Sequence, residues 1–415
     1  MQPTTLIQLI SGQNMPNLLP VLRLRPAKLV HLVTAKTASQ SAIILDAAKQ
    51  AGLDPKINVV SLSAMPSIPE TFQVVQKQIQ AVRAACGTPV VNFTGGTKMM
   101  SIGAYAAAQT EKVDSLYVDT DDAVFVSGFT GQEMGALLGN DFSFTQLLPL
   151  LDVSTVAVAN RRNAVSAGMD WQAMLPLAEA LFGDIHVEQT THDAMYGAHG
   201  LCPNGRTPQL PKDWLTSLQK TFRLPPNIAT LALSASLVVD AGGGALRLPQ
   251  DGIAELQRLA ASTPQNPLPN FAPVLFAATA SASHALGFLT GGWWEVIVAR
   301  EATRAGIFRD LRWSAIVKDK SGAELEEDLL GMDGVQMMYV SCKRGGTKAR
   351  LLPQLEEIQS RASGVGGIFT RRFLAVLLTP TGVFGKRLEA RAKELKITLI
   401  TPRNVTDPQT FIRRP

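Results

Sequence analysis

Strand-like and helix-like patterns alternate along the first 130 residues, and this alternation constrains the fold more than any other feature of the sequence. Apolar runs predict strands at 5–10, 28–34, 56–62, 89–94 and 113–119. Between them, amphipathic patterns predict helices at about 38–51, 69–85 and 97–110. The residues from Ser67 to Glu70 read as a capping box with a proline in the first turn. Strands separated by helices predict a parallel sheet, and therefore a Rossmann-like α/β fold.

The loops after the predicted strands carry a candidate anion site, because ligands of such sheets bind beyond the carboxyl ends of the strands. The strongest loop is Asn92–Met100, where a strand turns through two glycines into a helix that opens at Thr97. Free amides, hydroxyls and a lysine at such a turn favour an anion, and the alternative is a plain strand-to-helix turn. The candidate ligand-binding residues are Ser11, Gln13, Asn14, Thr34, Thr94, Gly95, Gly96, Thr97 and Lys98.

A second distinctive stretch joins an acidic run, Glu324–Asp328, to a strand that ends in Lys343. Asp333-Gly334 lies between them and is typical of a tight hairpin, so segments 324–330 and 335–343 should pair antiparallel. Carboxylates on adjacent strands supply the hard oxygens that Mg²⁺ or Mn²⁺ prefers, and a lysine can stabilise the charge of a reacting phosphodiester. The pattern therefore predicts a nuclease site, and the alternative is an edge hairpin with a solvated acidic face.

The turn also predicts a register for this hairpin. If Asp333 and Gly334 are the two central residues, Asp328 lies opposite Tyr339 and Glu326 lies opposite Ser341. Because side chains alternate along a strand, the even-numbered acids share one face, and Ser341 and Lys343 share one face of the partner strand.

This arrangement resembles the PD-(D/E)xK nuclease superfamily, in which an acid on one strand precedes an acid-x-lysine on the next. The resemblance implies that Asp328 and Lys343 are catalytic and that Glu295, at a helix start, is the early glutamate. Ser341 stands where most members carry an acid, and Glu326 is the candidate substitute. The catalytic candidates are Glu295, Glu326, Asp328, Ser341 and Lys343, and the candidate metal ligands are Glu295, Glu326, Asp328 and the carbonyl of Cys342.

The start of the chain, Leu6–Pro20, and the loop Thr94–Lys98 resemble CARF domains, the CRISPR-associated Rossmann folds that sense cyclic oligoadenylates. Followed by a PD-(D/E)xK domain with a restriction-endonuclease-like α/β fold, they imply a CRISPR ancillary nuclease activated by cyclic tetra-adenylate. Members of this branch are homodimers that cut single-stranded RNA or DNA, or nick plasmid DNA, with Mn²⁺ or Mg²⁺. A twofold-symmetric ring can also lie across a dyad, which independently favours a dimer.

Length and composition suit a globular chain of two or three domains, with 415 residues of which 46% are hydrophobic. The expected division is 1–150 for the CARF domain, 151–272 for a connecting domain and 273–415 for the nuclease. Residues 341–415 hold 15 Lys or Arg and 5 Asp or Glu, a charge balance that suits contact with a phosphate backbone. Without a membrane-length apolar run or a signal peptide, a cytoplasmic protein is expected.

A second interpretation of the sequence is a DNA-binding regulator that is controlled by cyclic oligoadenylate and carries a degenerate nuclease domain. It rests on Ser341 at the position of the usual acid and on the weakly patterned segment 151–272, in which a helix-turn-helix could lie.

Overall fold

A computed structural model describes residues 4–119, 124–136, 155–160, 171–199, 220–250, 280–306, 308–318, 324–333, 336–345, 348–366 and 370–412, together with positions 254 and 257. Within these residues the chain forms two large β-sheets with helices against them, and one two-stranded sheet. The first large sheet is built from residues 4–136, and the second from residues 155–160 and 309–400.

The N-terminal half follows the predicted alternation of strands and helices. The strands are β1 (Thr4–Leu9), β2 (Lys28–Val33), β3 (Lys56–Ser61), β4 (Thr88–Asn92), β5 (Asp114–Asp119), β6 (Val124–Ser127) and β7 (Glu133–Ala136). The helices are α1 (Met15–Leu24), α2 (Ala38–Gln50), α3 (Ile68–Ala84) and α4 (Lys98–Thr110). The strand order is β3-β2-β1-β4-β5-β6-β7, parallel from β3 to β5 and antiparallel beyond. The Rossmann-like α/β fold predicted for this half is therefore confirmed.

Two local features of this half differ from the sequence-based expectation. Helix α1 is not among the predicted helices. Pro16 lies in its first turn, where proline is tolerated, and burial of residues 15–21 stabilises the helix. At α3, Ser67 accepts the expected hydrogen bond from the Glu70 amide, but the Glu70 carboxylate bonds to Ser63 instead of closing the capping box.

The C-terminal half contributes eight further strands within the described residues, namely β8 (Thr155–Asn160), β9 (Val239–Gly242), β10 (Ala245–Arg247), β11 (Arg309–Lys318), β12 (Glu324–Asp333), β13 (Gln336–Lys343), β14 (Arg371–Val376) and β15 (Ile397–Ile400). Its helices are α5 (Leu175–Gly183), α6 (Ile185–His199), α7 (Pro226–Ser234), α8 (Ala280–Gly287), a π-helical turn (Phe288–Gly292), α9 (Trp293–Arg304), α10 (Lys348–Gly366), α11 (Gly382–Glu394) and α12 (Gln409–Ile412).

The six-stranded sheet of this half has the order β15-β14-β13-β12-β11-β8. Strands β13, β14 and β15 run parallel, whereas β8, β11, β12 and β13 pair antiparallel. Its edge strand β8 comes from residues 155–160, so the sheet also uses residues from the segment expected to connect the domains. Phe222 forms an isolated antiparallel β-bridge with Leu246 of β10.

The hairpin of β12 and β13 forms as predicted, but its predicted register is wrong. Asp333 pairs with Gln336 and Leu330 pairs with Tyr339, so the strands are shifted by two positions from a turn centred on Asp333 and Gly334. Asp328 is therefore not opposite Tyr339. Because the shift is an even number of residues, each side chain stays on its expected face, and only its partner changes.

Buried apolar side chains fill both sides of the second sheet. Trp293 and Trp294 at the start of α9 are buried in one cluster, together with Trp313 of β11. A second cluster contains side chains of both halves of the chain, among them Leu19 of α1 and Leu351 of α10. Among the described residues, no helix combines the length and the apolar character that a membrane span requires.

Candidate functional site

The carboxyl ends of β1, β2 and β4 lie side by side. Gln8 of β1 is level with His31 of β2 and with Asn92 of β4. The three loops that follow these strands, residues 10–14, 34–37 and 93–98, therefore meet at one edge of the sheet, where ligands of such folds bind. We call this edge the ligand crevice.

The loop after β4 is in close contact with the end of β1 at Gly95. A Cβ atom built on Gly95 would lie 2.0 Å from the carbonyl oxygen of Leu9, so any side chain at this position would displace the end of β1. The next residue, Gly96, has a φ of +80°, which glycine adopts without strain. Both glycines are therefore required by the backbone of the crevice.

Helix α4 starts at this edge and presents a positive end to it. Thr97 is the N-cap residue, and its hydroxyl accepts a hydrogen bond from the Met100 amide at 3.4 Å. Lys98, the first helical residue, is exposed, as are Gly96 and Thr97. The dipole of the helix and the lysine ammonium together favour an anion here.

Other candidate residues of the crevice are engaged with their own loops. The Thr94 hydroxyl donates to Asn92 Oδ1 and accepts from the Val118 amide, both at 2.7 Å, and so ties β4 to β5. The Ser11 hydroxyl donates to the Gln13 carbonyl at 2.9 Å and accepts from the Gln13 amide at 3.2 Å.

Asn14 and Thr34 complete the set of candidates. Asn14 is buried at the N-cap of α1. The Thr34 amide donates to the Thr37 hydroxyl at 3.0 Å, which closes the loop before α2. The structure therefore brings all nine candidates to one edge, and it leaves Lys98 and the glycine loop as its exposed, positive part.

A chain of buried polar side chains lies beneath the crevice. Asn92 Nδ2 donates to Gln8 Oε1 at 3.4 Å, Gln8 Nε2 lies 2.9 Å from His31 Nε2, and His31 Nδ1 lies 2.7 Å from the Ser41 hydroxyl. Because an amide nitrogen only donates, His31 Nε2 accepts and Nδ1 carries the proton. Burial lowers the pKa of His31 to about 4, so these four hydrogen-bonded side chains are neutral at pH 7. Sequence reasoning missed them, although polar residues inside three apolar strands are a visible signal.

In the second half, four groups meet at the end of β13. Oδ2 of Asp328 accepts hydrogen bonds from the Ser341 hydroxyl at 3.1 Å, from the Cys342 amide at 2.6 Å and from Lys343 Nζ at 3.1 Å. The structure therefore brings together the acid, the lysine and the serine that the sequence singled out, although through a different strand register. The sequence analysis singled out the main-chain carbonyl of Cys342 as a metal ligand, and it did not foresee the hydrogen bond from the Cys342 amide to Asp328.

The charge of Lys343 is balanced by carboxylates. Burial acts to lower the pKa of Lys343, but Asp328, with smaller contributions from Cys342 and Glu295, outweighs it and raises that pKa above its ordinary value. The lysine is therefore a fixed positive charge at this site.

Glu295 lies in the first turn of α9, where the sequence placed it. Its Oε2 accepts a hydrogen bond from Trp313 Nε1 of β11 at 2.6 Å, and this bond fixes the carboxylate between helix and sheet. The indole is buried, so the bond is shielded from water.

Glu326 is exposed, and its carboxylate accepts a hydrogen bond from the Ser314 hydroxyl of β11. It is not directly across from Ser341, since the strands are shifted by two positions. The side chain nevertheless borders the same cavity as Asp328 and Lys343.

This cavity, which we call the acid–lysine pocket, has a volume of about 30 Å³ and lies between β12, β13 and α10. Its inner wall contains Glu327, which is buried and bonded to the Tyr339 hydroxyl at 2.5 Å and to Arg361 of α10 at 3.0 Å. Burial raises the pKa of Glu327, and the bonds from Tyr339 and Arg361 oppose that rise. Sequence reasoning missed Glu327 and Arg361, since their meeting depends on how α10 packs.

The donors around the pocket are hard oxygens, which suit Mg²⁺ or Mn²⁺ in kind. Within the described ranges, no group of three or more His, Cys, Asp or Glu side chains is placed to hold a metal ion. Mg²⁺ is commonly held by one or two carboxylates, with water and substrate phosphate completing its shell. Asp328 with one neighbouring carboxylate fits that pattern.

Fold and sites together define a two-sheet α/β protein with an anion-favouring edge on a Rossmann-like sheet and an acid–lysine pocket on a mixed sheet. Residues 5–135 match the family model of the Card1 CARF domain, which confirms the predicted CARF-type N-terminal domain. No curated protein sequence matches the chain.

Solved structures resemble the chain over nearly its whole length, and they include the following two. Can2 from Sulfobacillus thermosulfidooxidans, solved in complex with cyclic tetra-adenylate, is 15% identical with a TM-score of 0.61, over 98% of this chain and 98% of that one. VC1899 from Vibrio cholerae is 12% identical with a TM-score of 0.67, over 99% of this chain and 97% of that one. At such identities the likeness concerns the fold, and it covers both sheets.

Proposed function

We propose that the chain is a cytoplasmic, homodimeric, metal-dependent endonuclease of CRISPR antiviral defence, switched on by cyclic tetra-adenylate at its N-terminal domain. The observation that carries the proposal is the convergence of Ser341, the Cys342 amide and Lys343 on one carboxylate oxygen of Asp328. An acid held beside a charged lysine in a small polar pocket is the arrangement that phosphodiester hydrolysis needs.

The ligand class is supported by the N-terminal half. Its match to the Card1 CARF domain, and its fold likeness to a protein solved with cyclic tetra-adenylate, favour a cyclic oligoadenylate. In the crevice, Lys98 and the amides that follow Gly95 and Gly96 would contact phosphates of the ring.

A dimer is supported by the surface that follows Lys98 on α4. Met99, Ile102 and Tyr105 are 48%, 51% and 40% exposed, at spacings that place them on one side of the helix. A second copy would cover this apolar side, and a twofold-symmetric ring across the dyad would then meet Lys98 of each subunit.

In the pocket, Lys343 would stabilise the negative charge that develops on the phosphate, and Ser341 and the Cys342 amide orient Asp328. A divalent ion, Mn²⁺ or Mg²⁺, held by Asp328, Glu295, Glu326 and the Cys342 carbonyl, would polarise a phosphoryl oxygen. The basic charge of residues 341–415 suits single-stranded RNA or DNA, or plasmid DNA, as substrate.

Coupling between the two sites is supported by their shared core. Helix α1 starts directly after the crevice loop of residues 10–14, and α10 borders the pocket. Leu19 of α1 and Leu351 of α10 belong to the same buried cluster, so a ligand that moves α1 would act on the packing of α10.

A second candidate function is a DNA-binding regulator controlled by the same ligand. It is favoured by Ser341, whose hydroxyl adds no negative charge to the pocket, and by the absence of a three-ligand metal group in the part of the chain that the structure describes.

The test is incubation of the full chain with cyclic tetra-adenylate, Mn²⁺ and labelled single-stranded RNA, single-stranded DNA or plasmid. We expect activator-dependent products from at least one substrate. A shifted but intact DNA band, without products at any metal concentration, would replace the nuclease by the regulator.

A further inference from the structure

An ion pair between the buried Glu327 and the partly buried Arg361 lies directly beside Asp328. Glu327 is only 1% exposed, and its Oε1 accepts a hydrogen bond from Arg361 Nε at 3.2 Å and lies 3.0 Å from Arg361 Nη2. Its Oε2 accepts from the Tyr339 hydroxyl at 2.5 Å. Both oxygens of this carboxylate are therefore bonded within the protein.

Arg361 also holds the main chain of β12. Its Nη2 donates to the Glu326 carbonyl at 2.8 Å, while Nη1 donates to Glu357 of its own helix at 3.0 Å. In the described part of the hairpin, the paired positions of β12 and β13 start at Leu329 and Val340, so residues 326–328 lie beyond the last pair. Residues 326–328 therefore have no paired position on β13, and the Arg361 guanidinium bonds to the main chain of this stretch at the Glu326 carbonyl.

Such an arrangement is a poor means of stabilising a core. Replacing a buried ion pair with apolar side chains of similar volume is often neutral or favourable for folding. A pair placed between a helix and the residue before Asp328 is better explained by geometry, because a carboxylate that must face Lys343 cannot drift by an ångström without losing rate.

We propose that Arg361, Glu327 and Tyr339 are positioning residues that hold Asp328 in its reactive orientation, an inference that rests on the proposed nuclease function. Arg361 fixes the carbonyl of residue 326 and the carboxylate of residue 327, and Tyr339 fixes that carboxylate from β13. The backbone that precedes Asp328 is thereby fixed to α10, and the Asp328 carboxylate faces the pocket from this fixed position.

The first test compares Arg361→Met with the double variant Glu327→Met/Arg361→Met in the full chain. Urea unfolding is followed by tryptophan fluorescence, since all five tryptophans lie between residues 171 and 313. The single variant leaves a buried charge unpaired and should lower both stability and kcat. The double variant should regain most of the stability that the single variant loses, with the unpaired Tyr339 hydroxyl as the remaining cost. Its kcat should stay about tenfold or more below wild type, because the Glu326 carbonyl is still released.

Arg361→Lys is the second variant, which keeps the charge opposite Glu327 but cannot make both contacts. We expect normal unfolding, normal binding of cyclic tetra-adenylate and a kcat reduced about tenfold. Arg391→Lys is the matched control, because this more exposed arginine bonds to carboxylates at 356 and 394 rather than to β12. The control should behave as wild type.

The outcomes separate the two levels of the proposal. If wild type cuts its substrate but Arg361→Lys and the double variant cut equally well, the positioning role is wrong and the nuclease assignment stands. If wild type itself cuts nothing under any activator and metal, the proposed function falls, and the positioning role falls with it.

Discussion

The ligand crevice and the acid–lysine pocket are built from opposite kinds of interaction. Beneath the crevice, Gln8 and His31 form part of a neutral hydrogen-bonded chain that is buried in the sheet. In the pocket, Asp328 forms an ion pair with Lys343, and Glu327 forms one with Arg361. Neutral hydrogen bonds therefore support the crevice, whereas ion pairs between its own side chains stabilise the pocket.

The difference suggests how each site meets its ligand. In the crevice, the exposed Lys98 and the start of α4 keep their positive potential for an anion, because the supporting chain adds no charge. In the pocket, Lys343 is already matched by Asp328, so a phosphate or a metal ion must compete with an internal partner. Under the proposed function, the crevice would bind its anion without losing an internal partner, whereas the pocket would have to exchange the Asp328–Lys343 pair for contacts with its ligand.

The largest effect should come from breaking the pocket alone. Lys343→Ala removes the cation beside Asp328, and kcat should fall about a hundred- to a thousandfold, as when one stabilising donor is lost from a transition state. Asp328→Ala should do the same, while the affinity for cyclic tetra-adenylate stays unchanged in both, since the crevice is intact. Lys393→Ala, an exposed lysine of α11, is the control. Product formed at the wild-type rate by Lys343→Ala would exclude the pocket as the active site.

The next effect comes from breaking the shape of the crevice without changing its charge. The Cβ of Gly95→Ala would meet the Leu9 carbonyl at 2.0 Å, and such overpacking costs about 1–3 kcal/mol of stability. We expect weaker activator binding, measured by calorimetry, with metal-dependent cleavage recovered at saturating activator. Gly12→Ala is the matched control in the same crevice, because its Cβ meets nothing within 4 Å. Equal activator binding by both variants would mean that the activator does not bind at this crevice.

The sequence predicted the parallel core of the first sheet because apolar runs, glycines and helix caps all act locally. It missed α1, which contains two prolines that disfavour a helix and which is stabilised by a burial that only the assembled sheet provides. It placed Asp328, Ser341 and Lys343 on meeting faces but in the wrong register, because Asp-Gly is a strong turn signal and the observed pairing starts at Asp333 and Gln336. The contact of Glu327 with Arg361 could not be predicted, since it depends on the packing of a helix 34 residues away.

The hydrogen-bonded side chains beneath the crevice predict how the stability of the folded protein depends on pH. The pKa of His31 is lowered by burial to about 4 in the folded state, from an ordinary value of 6.5. Between these values the unfolded chain binds the additional proton, so stability is lost as the pH falls from about 6.5 towards 4. From pH 7 to pH 5 the loss should be about 2 kcal/mol.

Hydrogen exchange of the β1 and β2 amides would measure this loss in the full chain, because none of the five tryptophans reports on the N-terminal half. In His31→Gln, which cannot titrate, the opening free energy should be lower at pH 7 but should change by less between the two pH values. An equal slope in the variant and wild type would show that His31 is not the group that couples pH to the stability of this sheet.

The smallest expected effect isolates one charge of the crevice. Lys98→Ala removes an exposed cation at the start of α4, whereas Thr97 still caps the helix and Gly95 still shapes the loop. Losing one charge-assisted contact to a phosphate should weaken cyclic tetra-adenylate binding about tenfold, or about 1.4 kcal/mol, and high activator should restore cleavage. Lys77→Ala, an exposed lysine in the middle of α3, removes the same charge from the same domain and should leave binding unchanged. If both variants titrate like wild type, the positive end of α4 does not contact the activator. If both weaken equally, the ligand responds to the net charge of the domain rather than to this lysine.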